Sequence, residues 1–515
     1  MSEGATDALD PVTRSVLASG LAGIAEEMGS VLIRSAYSAN IKERRDCSSA
    51  LFDASGHMIA QAAHIPVHLG ALPETVQAVM AKDPQPGDVF IVNDPYSGGS
   101  HLPDITMVSP LAPWGEIIGY AVTRAHHNDV GGARPGSMPS SSQEIYQEGL
   151  IIPPVRLMRA GAFCSDVFEL ILANVRTPAV RQGDVRAQIA ANRLAEERIR
   201  ELIERRGLDL VLAAFADLIR YTERRTREAI RRLPDGVYRA EGQMEGDGTI
   251  TDDITIRVAV TIDGDEAVID FTGTAGAVRG NINCPVAVTR SACFFAMQVL
   301  LAKDVPVSNS GTYAPVTVIA PEGSLVNARR PSAVVAANVE TSQRIADTVL
   351  LALANVGEVP AQGQGTMNVL VLGGSDWTYV ETIGGGQGGH RKGPGTSGVH
   401  VGMTNTLNTP IEALELEYPL RVQRYELAYG SGGAGRHRGG DGIIRSVQVL
   451  EPASLSLLTE RRRHAPQGMA GGGPGRLGQS LLGDEPLPAK VSLEMDRGDV
   501  VTICSPGGGG WGSAE

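Results

Sequence analysis

Apolar residues recur at helical spacing through Val16, Leu17, Leu21, Ile24, Met28, Leu32 and Ile33. Such a stripe predicts an amphipathic first helix, with Asp10 as its N-cap and Pro11 at the first helical position. Residues 46–53 read as a strand, Ser55-Gly56-His57 as its turn and 58–60 as the returning arm of a hairpin. A second helix is predicted over 72–80, with strands over 89–92 and 116–125. From 185 to 232 the pattern turns helical and highly charged, broken near Arg206-Gly207, so a helix pair is expected there, ended by Leu233-Pro234-Asp235-Gly236. Short β runs follow at 238–244, 254–262 and 267–271, the last two joined through Asp263-Gly264-Asp265 as a tight hairpin. Helices recur at 289–301 and 342–354, and a glycine-rich β region starts near Gly430.

These elements predict a mixed α+β fold. Its expected regions are an N-terminal α/β region over 1–234, a mixed β/α region over 235–429 and a Gly-rich β region over 430–515. The terminal run Pro506 to Gly512 reads as a tight turn.

Composition sharpens this picture. At 515 residues the chain exceeds what one core usually organises. With 62 glycines and 4% aromatics it should be rich in turns and close backbone approaches. A net charge of −13 argues against a nucleic-acid or anionic-membrane partner. The five cysteines are scattered and form no CxxC pair, which predicts free, buried thiols and a reducing cytoplasm. The N-terminus is polar and acidic, and no run approaches the roughly 18 apolar residues of a membrane span, so a soluble protein is expected.

The densest chemistry lies between Asn93 and Gly132. It opens with Asn93-Asp94-Pro95-Tyr96-Ser97-Gly98-Gly99-Ser100-His101-Leu102-Pro103-Asp104 and closes with Ala125-His126-His127-Asn128-Asp129-Val130-Gly131-Gly132. Three of the ten histidines fall here, each near a carboxylate and turn residues. Imidazole and carboxylate on loops at strand ends are a mononuclear metal-site composition, and with no sulfur in the set Zn, Mn and Fe(II) are all admissible. On a continuing strand His127 and Asp129 would share a face, whereas a turn after Ala125 would bring His126 and Asp129 together. Asp94 and Asp104 read as cap or turn residues. The glycine runs at 384–389 and 507–510 lack the Lys-Ser/Thr or strand-to-helix context of a phosphate loop, so they read as turns.

The segments Glu43-Arg44-Arg45-Asp46-Cys47-Ser48, 93–104, 125–132, Pro135-Gly136-Ser137-Met138-Pro139, Gln147-Glu148-Gly149-Leu150, 338–344, 403–410, 432–436, 439–442 and 506–512 together resemble the hydantoinase B/5-oxoprolinase family. That family includes the B component of ATP-dependent hydantoinases and, more distantly, the metal-carrying subunit of acetone carboxylases. The chain departs from it at Cys47, where Phe is more usual, and over 388–395. The resemblance implies a divalent metal (Zn, Mn or Fe) on His101, His126 and Asp129, because a family ligand pair is His followed three residues later by Asp. Asp46 is a fourth candidate ligand, or an ion-pair partner of Arg44 or Arg45.

Glu148 is a candidate base and His400 a candidate proton carrier. Asn338, Glu340, Gln343 and Arg344 would orient an amide or carboxylate, or serve as caps and core hydrogen bonds. His57, His64, His68, His390, His437 and His464 read as structural or surface residues. The implied partner is a hydantoinase A-type ATPase, two copies of each chain, which uses ATP to phosphorylate a lactam or cyclic imide such as a hydantoin or 5-oxoproline. This chain would then open the ring. The alternatives are a ketone carboxylase subunit or a non-catalytic scaffold for the ATPase.

Overall fold

The computed structural model describes residues 9–514 apart from 64, 69 and 302–307. The reading of His64 lies outside the described residues.

Asp10 caps helix α1 (Pro11–Ser35), its carboxylate accepting from the N–H groups of Val12 and Thr13. This satisfies two of the donors a helix start leaves free. After a short helix α2 (Ala39–Lys42) the chain enters a seven-stranded sheet with strand order β2-β1-β5-β4-β3-β6-β7. The strands are β1 (Cys47–Asp53), β2 (Met58–Ala63), β3 (Val89–Val92), β4 (Asp104–Leu111), β5 (Gly119–His126), β6 (Val155–Arg159) and β7 (Ala162–Phe163). Every pairing in it is antiparallel, so the expected α/β character of the first region holds for its content and not for a parallel sheet. Strand β4 is an addition to the predicted set.

Helix α3 (Leu72–Met80) covers one face of this sheet, with Leu72, Val76 and Val79 against Phe52, Phe90 and Val108. The other face carries α1 and the predicted helix pair, α5 (Pro178–Arg206) and α6 (Leu208–Ile230), which follow α4 (Ser165–Ala173). Leu21, Ile24, Met28 and Leu32 of α1 meet Ala187, Ala191, Ala195 and Ile199 of α5. Small residues at four-residue spacing let the two helices approach closely. Gly207 separates α5 from α6 at φ 88°, a conformation open chiefly to glycine. Contrary to the sequence expectation, α1 is long and apolar enough to span a membrane. Its apolar stripe is used as core, against α5 and β2.

Past Pro234 the meander appears as β8 (Gly236–Glu245), β9 (Asp253–Asp263) and β10 (Glu266–Asp270), to which β11 (Val316–Ile319) adds in parallel. Helices α7 (Val286–Leu301) and α9 (Ser342–Leu353) pack on it, with the short α8 (Ser310–Tyr313) between them in sequence. A π-helical turn, Ala337–Thr341, runs directly into α9. The last two sheets are antiparallel, and one pairs Val369–Gly373 with Ala453–Leu458, joining residues on both sides of position 430.

The glycine runs are not turns. Gly433 donates to Gly508, Gly508 to Gly440 and Gly509 to Gln362, so extended glycine segments hydrogen-bond side by side. A Cβ on Gly508 would lie 2.1 Å from the Gln387 carbonyl oxygen, which leaves no room for any larger residue.

Candidate metal centre

The loop after β3 is shaped by its own polar residues. Asn93 donates from its amide to the carbonyls of Leu102 and Leu150 and accepts from the Ile152 N–H, clamping both ends of the loop. Asp94 does act as a cap, accepting from the Tyr96 N–H and pairing with Arg330. Gly98 sits at φ 88°, where a Cβ would be 2.4 Å from the backbone nitrogen of Thr75. The loop therefore delivers His101 and then Asp104 to the start of β4. There Asp104 is the direct cross-strand partner of His126, the last residue of β5.

Three ligand atoms converge at that point. His101 Nε2 and His126 Nδ1 each lie 3.0 Å from Asp104 Oδ1, and 3.1 Å from one another. All three side chains are buried. His101 Nδ1 faces the Val335 carbonyl at 3.3 Å. With its Nδ1–H donated there, its Nε2 lone pair points at a carboxylate oxygen, acceptor against acceptor. Either a proton or a cation relieves that clash. A ring N–H on a backbone carbonyl is also the usual way a metal-binding imidazole is oriented, so the donor set fits a nitrogen- and oxygen-loving divalent ion. Burial alone would weaken protonation of His101, but Asp104 outweighs it and the net shift is upward. Burial likewise pushes Asp104 up, and His101, His126 and His68 together hold it well below the usual carboxylate range.

Around the trio stand residues that position it. His68 Nε2 approaches Asp104 Oδ2 at 3.4 Å, while its Nδ1 meets Ser48 Oγ at 2.9 Å. The Ser100 hydroxyl also donates to Asp104 Oδ2. Asn338, on the π-helical turn, places Nδ2 3.2 Å from His101 Nε2 and leaves its buried Oδ1 without a partner among the described residues. Glu148 accepts from the N–H groups of Val334 and Val335 and from Ser142 Oγ, and so fixes the carbonyl that orients His101. Burial pushes Glu148 up to about 7 against the pull of those donors.

Several expectations change. Asp129 does not join the two histidines. Its carboxylate accepts from the N–H groups of Gly131, Gly136 and Arg176 and pairs with the Arg176 guanidinium at 2.9 Å. The strand ends at His126, and the following turn carries Asp129 away. Asp104, read from sequence as a cap or turn residue, takes the place beside the histidines, and His68, read as structural or surface, lies against it.

Asp46 stays close, with its carbonyl accepting the His126 N–H at 3.1 Å and its charge favouring protonated His101. Among the described residues it pairs with neither Arg44 nor Arg45; Arg44 donates instead to Thr382 and Thr406. His127 is buried against Gln188 at 3.0 Å, and burial together with Arg181 pushes it down to about 4. Glu148 touches backbone and Ser142, which suits it to positioning more than to proton abstraction. His400 is half-buried, hydrogen-bonded to Thr404 and Thr406, and pushed down to about 3 by burial and then by Arg44, so it is a neutral imidazole and a weak base. Glu340 and Arg344 belong to another buried network, Arg344 pairing with Glu460 at 3.3 Å and Glu340 pushed well above the usual carboxylate range by burial and by Glu460.

Over residues 10–514 the sequence matches the Hydantoinase B/oxoprolinase family. The chain belongs to that family. It is 38% identical to 5-oxoprolinase 1 of Arabidopsis thaliana across 99% of its own length, but spans only 42% of that relative. With the provisionally named D-/L-hydantoinase B component of a Pseudomonas species it shares 35% identity, covering 98% of this chain and 90% of the other. Among solved structures it resembles the ATP-dependent caprolactamase from Pseudomonas jessenii, with a TM-score of 0.91, 30% identity and coverage of 98% and 92% of the two chains. Membership of the hydantoinase B/oxoprolinase family agrees with the resemblance carried by the motifs, while the buried trio is a product of the fold.

Proposed function

We propose that this chain is the metal-bearing subunit of an ATP-dependent amidohydrolase that opens a cyclic amide, with His101, Asp104 and His126 as ligands and Asp46 beside them. The observation that carries this reading is the convergence of three ligand atoms about 3 Å apart in a buried site. A bound divalent ion would polarise the substrate oxygen and lower the pKa of a coordinated water. The remaining work falls to the protein. Val335 holds the His101 tautomer, Glu148 holds Val335, and Ser100 with His68 fixes Asp104. Asn338 brings an amide to the same spot, able to donate to a ring carbonyl or accept from a ring N–H.

An unactivated amide is a poor electrophile, and O-phosphorylation turns its oxygen into a leaving group. The names of the relatives, one a component of a multi-chain hydantoinase and one an ATP-dependent caprolactamase, support a partner ATPase that performs that activation. A hydantoinase A-type chain, two copies of each and a cytoplasmic location complete the reading. Co-expression with such an ATPase should give ATP hydrolysis stimulated by hydantoins, 5-oxoproline or larger lactams. Stimulation only by a ketone with bicarbonate, or by no compound of the set, would refute it.

A further inference from the structure

Two arginines lie inside the protein with donors unused. Arg44, in the turn after α2, and Arg445, on the strand Gly442–Val449, are each 1% exposed. They meet at the strand Thr378–Glu381, whose sheet packs against that of Arg445. Arg44 donates through one terminal nitrogen to the hydroxyls of Thr382 and Thr406. Its Nε and its other terminal nitrogen are buried and have no partner among the described residues, so no carboxylate pairs with it there. Arg445 lies over the ring of its cross-strand partner Tyr425, 4.4 Å from the centroid, and gives Nε to Glu381 at 3.2 Å. Its two terminal nitrogens are buried and, among the described residues, unpartnered. Together they form a fork that matches the paired oxygens of a carboxylate or phosphate.

Tyr379 alternates with Glu381 on the same face of its strand. Its buried hydroxyl neighbours that of Thr409, yet neither oxygen finds a partner of hydrogen-bonding geometry among the described residues. Burial and then Glu381 push the Tyr379 phenol up, and Arg44 and Arg445 both pull against them, so both guanidinium charges reach this hydroxyl. Among the described residues only Glu381 pairs with either arginine. Burying a cation without a counter-charge is costly, and an anion between the two arginines removes that cost. The place is one layer deep. In the irregular segment 404–410, Thr406 reaches Arg44 and Thr409 reaches Tyr379, while Leu407 and Asn408 between them are exposed.

We infer that Arg44 and Arg445, with the Tyr379 hydroxyl, form a binding site for one oxyanion group, a carboxylate or a phosphate. The site shares no side chain with His101, Asp104 and His126, and it does not depend on the ring-opening reading of those residues. It is tested by thermal unfolding of the purified full chain at fixed ionic strength, titrated separately with sodium acetate, sodium phosphate and sodium chloride. A ligand that binds only the folded state raises the midpoint by mass action. The wild type should show a saturating rise with an oxyanion and none with chloride. Whichever of acetate and phosphate saturates at the lower concentration identifies the group the site takes.

Arg44→Met removes a buried charge that no carboxylate pairs, and it should need at least ~10-fold more oxyanion for the same rise. Should that variant not fold, Tyr379→Phe deletes one hydroxyl without a protein partner and should need about 3–10-fold more. Asp104→Ala should respond as the wild type does, which separates this site from an anion held at the trio. No saturating rise, an equal response in wild type, Arg44→Met and Tyr379→Phe, a matching response to chloride, or a response lost only in Asp104→Ala would overturn the assignment.

Discussion

The chain carries the spacing His-x-x-Asp twice, at His101–Asp104 and at His126–Asp129, and the fold treats the two differently. In the first, a loop clamped by Asn93 turns straight into β4, so that Asp104 faces His126 across the strand pair and His101 reaches the same carboxylate oxygen. In the second, the strand stops at the histidine and the aspartate is claimed by three backbone N–H groups and Arg176. Identical spacing yields a candidate ligand set in one place and a loop anchor in the other. What decides is the strand register and the competing donors, neither of which the spacing encodes.

The sharpest way to break this comparison is to remove each aspartate. Asp104→Ala should abolish metal retention and lower turnover of the reconstituted complex by at least ~1,000-fold, read by elemental analysis and steady-state kinetics. Asp129→Ala should retain the metal and instead cost on the order of 3 kcal/mol in denaturant unfolding, because it leaves Arg176 and several N–H groups without their acceptor. A smaller effect is expected at the residue behind Val335, and it depends on pH. Glu148 is raised from 4.5 to about 7 in the folded protein, so the folded state holds the extra proton between those values. Its stability contribution is fully present below about 4.5 and lost as pH rises through about 7, a span on the order of 3 kcal/mol at most. Glu148→Gln should flatten that part of the stability profile, measured by urea unfolding at about pH 5 and about pH 8. Asn338→Ala should leave stability nearly unchanged and reduce turnover or metal affinity by about 10–100-fold, the usual cost of losing a group that supports ligands.

Much of the frame is legible in the sequence because local signals are strong: Asp10 with Pro11 at the first helix, Gly207 between the paired helices, and the meander after Pro234. His101 and His126 are legible as a pair. Asp104 is not, because strand 104–111 follows Pro103 at once and its aspartate resembles a turn residue. The short apolar and β-branched run Ile105-Thr106-Met107-Val108 is the signal that could have revealed a strand beside 119–126, and with it the Asp104–His126 pairing. His68 sits on an isolated turn whose contact with Asp104 is purely tertiary. Asn338 stands out for its chemistry, but the π-helical turn that aims it at His101 has no signature in the residue pattern. The glycine segments resist sequence reading for a related reason, since their mutual packing depends on partners far away in the chain.

The central claim is that Asp104 and not Asp129 completes the site with His101 and His126. It is tested most directly by measuring bound transition metal in Asp104→Ala and Asp129→Ala, purified side by side without chelator. The account predicts less than about a tenth of an equivalent in Asp104→Ala and wild-type content in folded Asp129→Ala. Metal retained in Asp104→Ala and lost from a folded Asp129→Ala would contradict it.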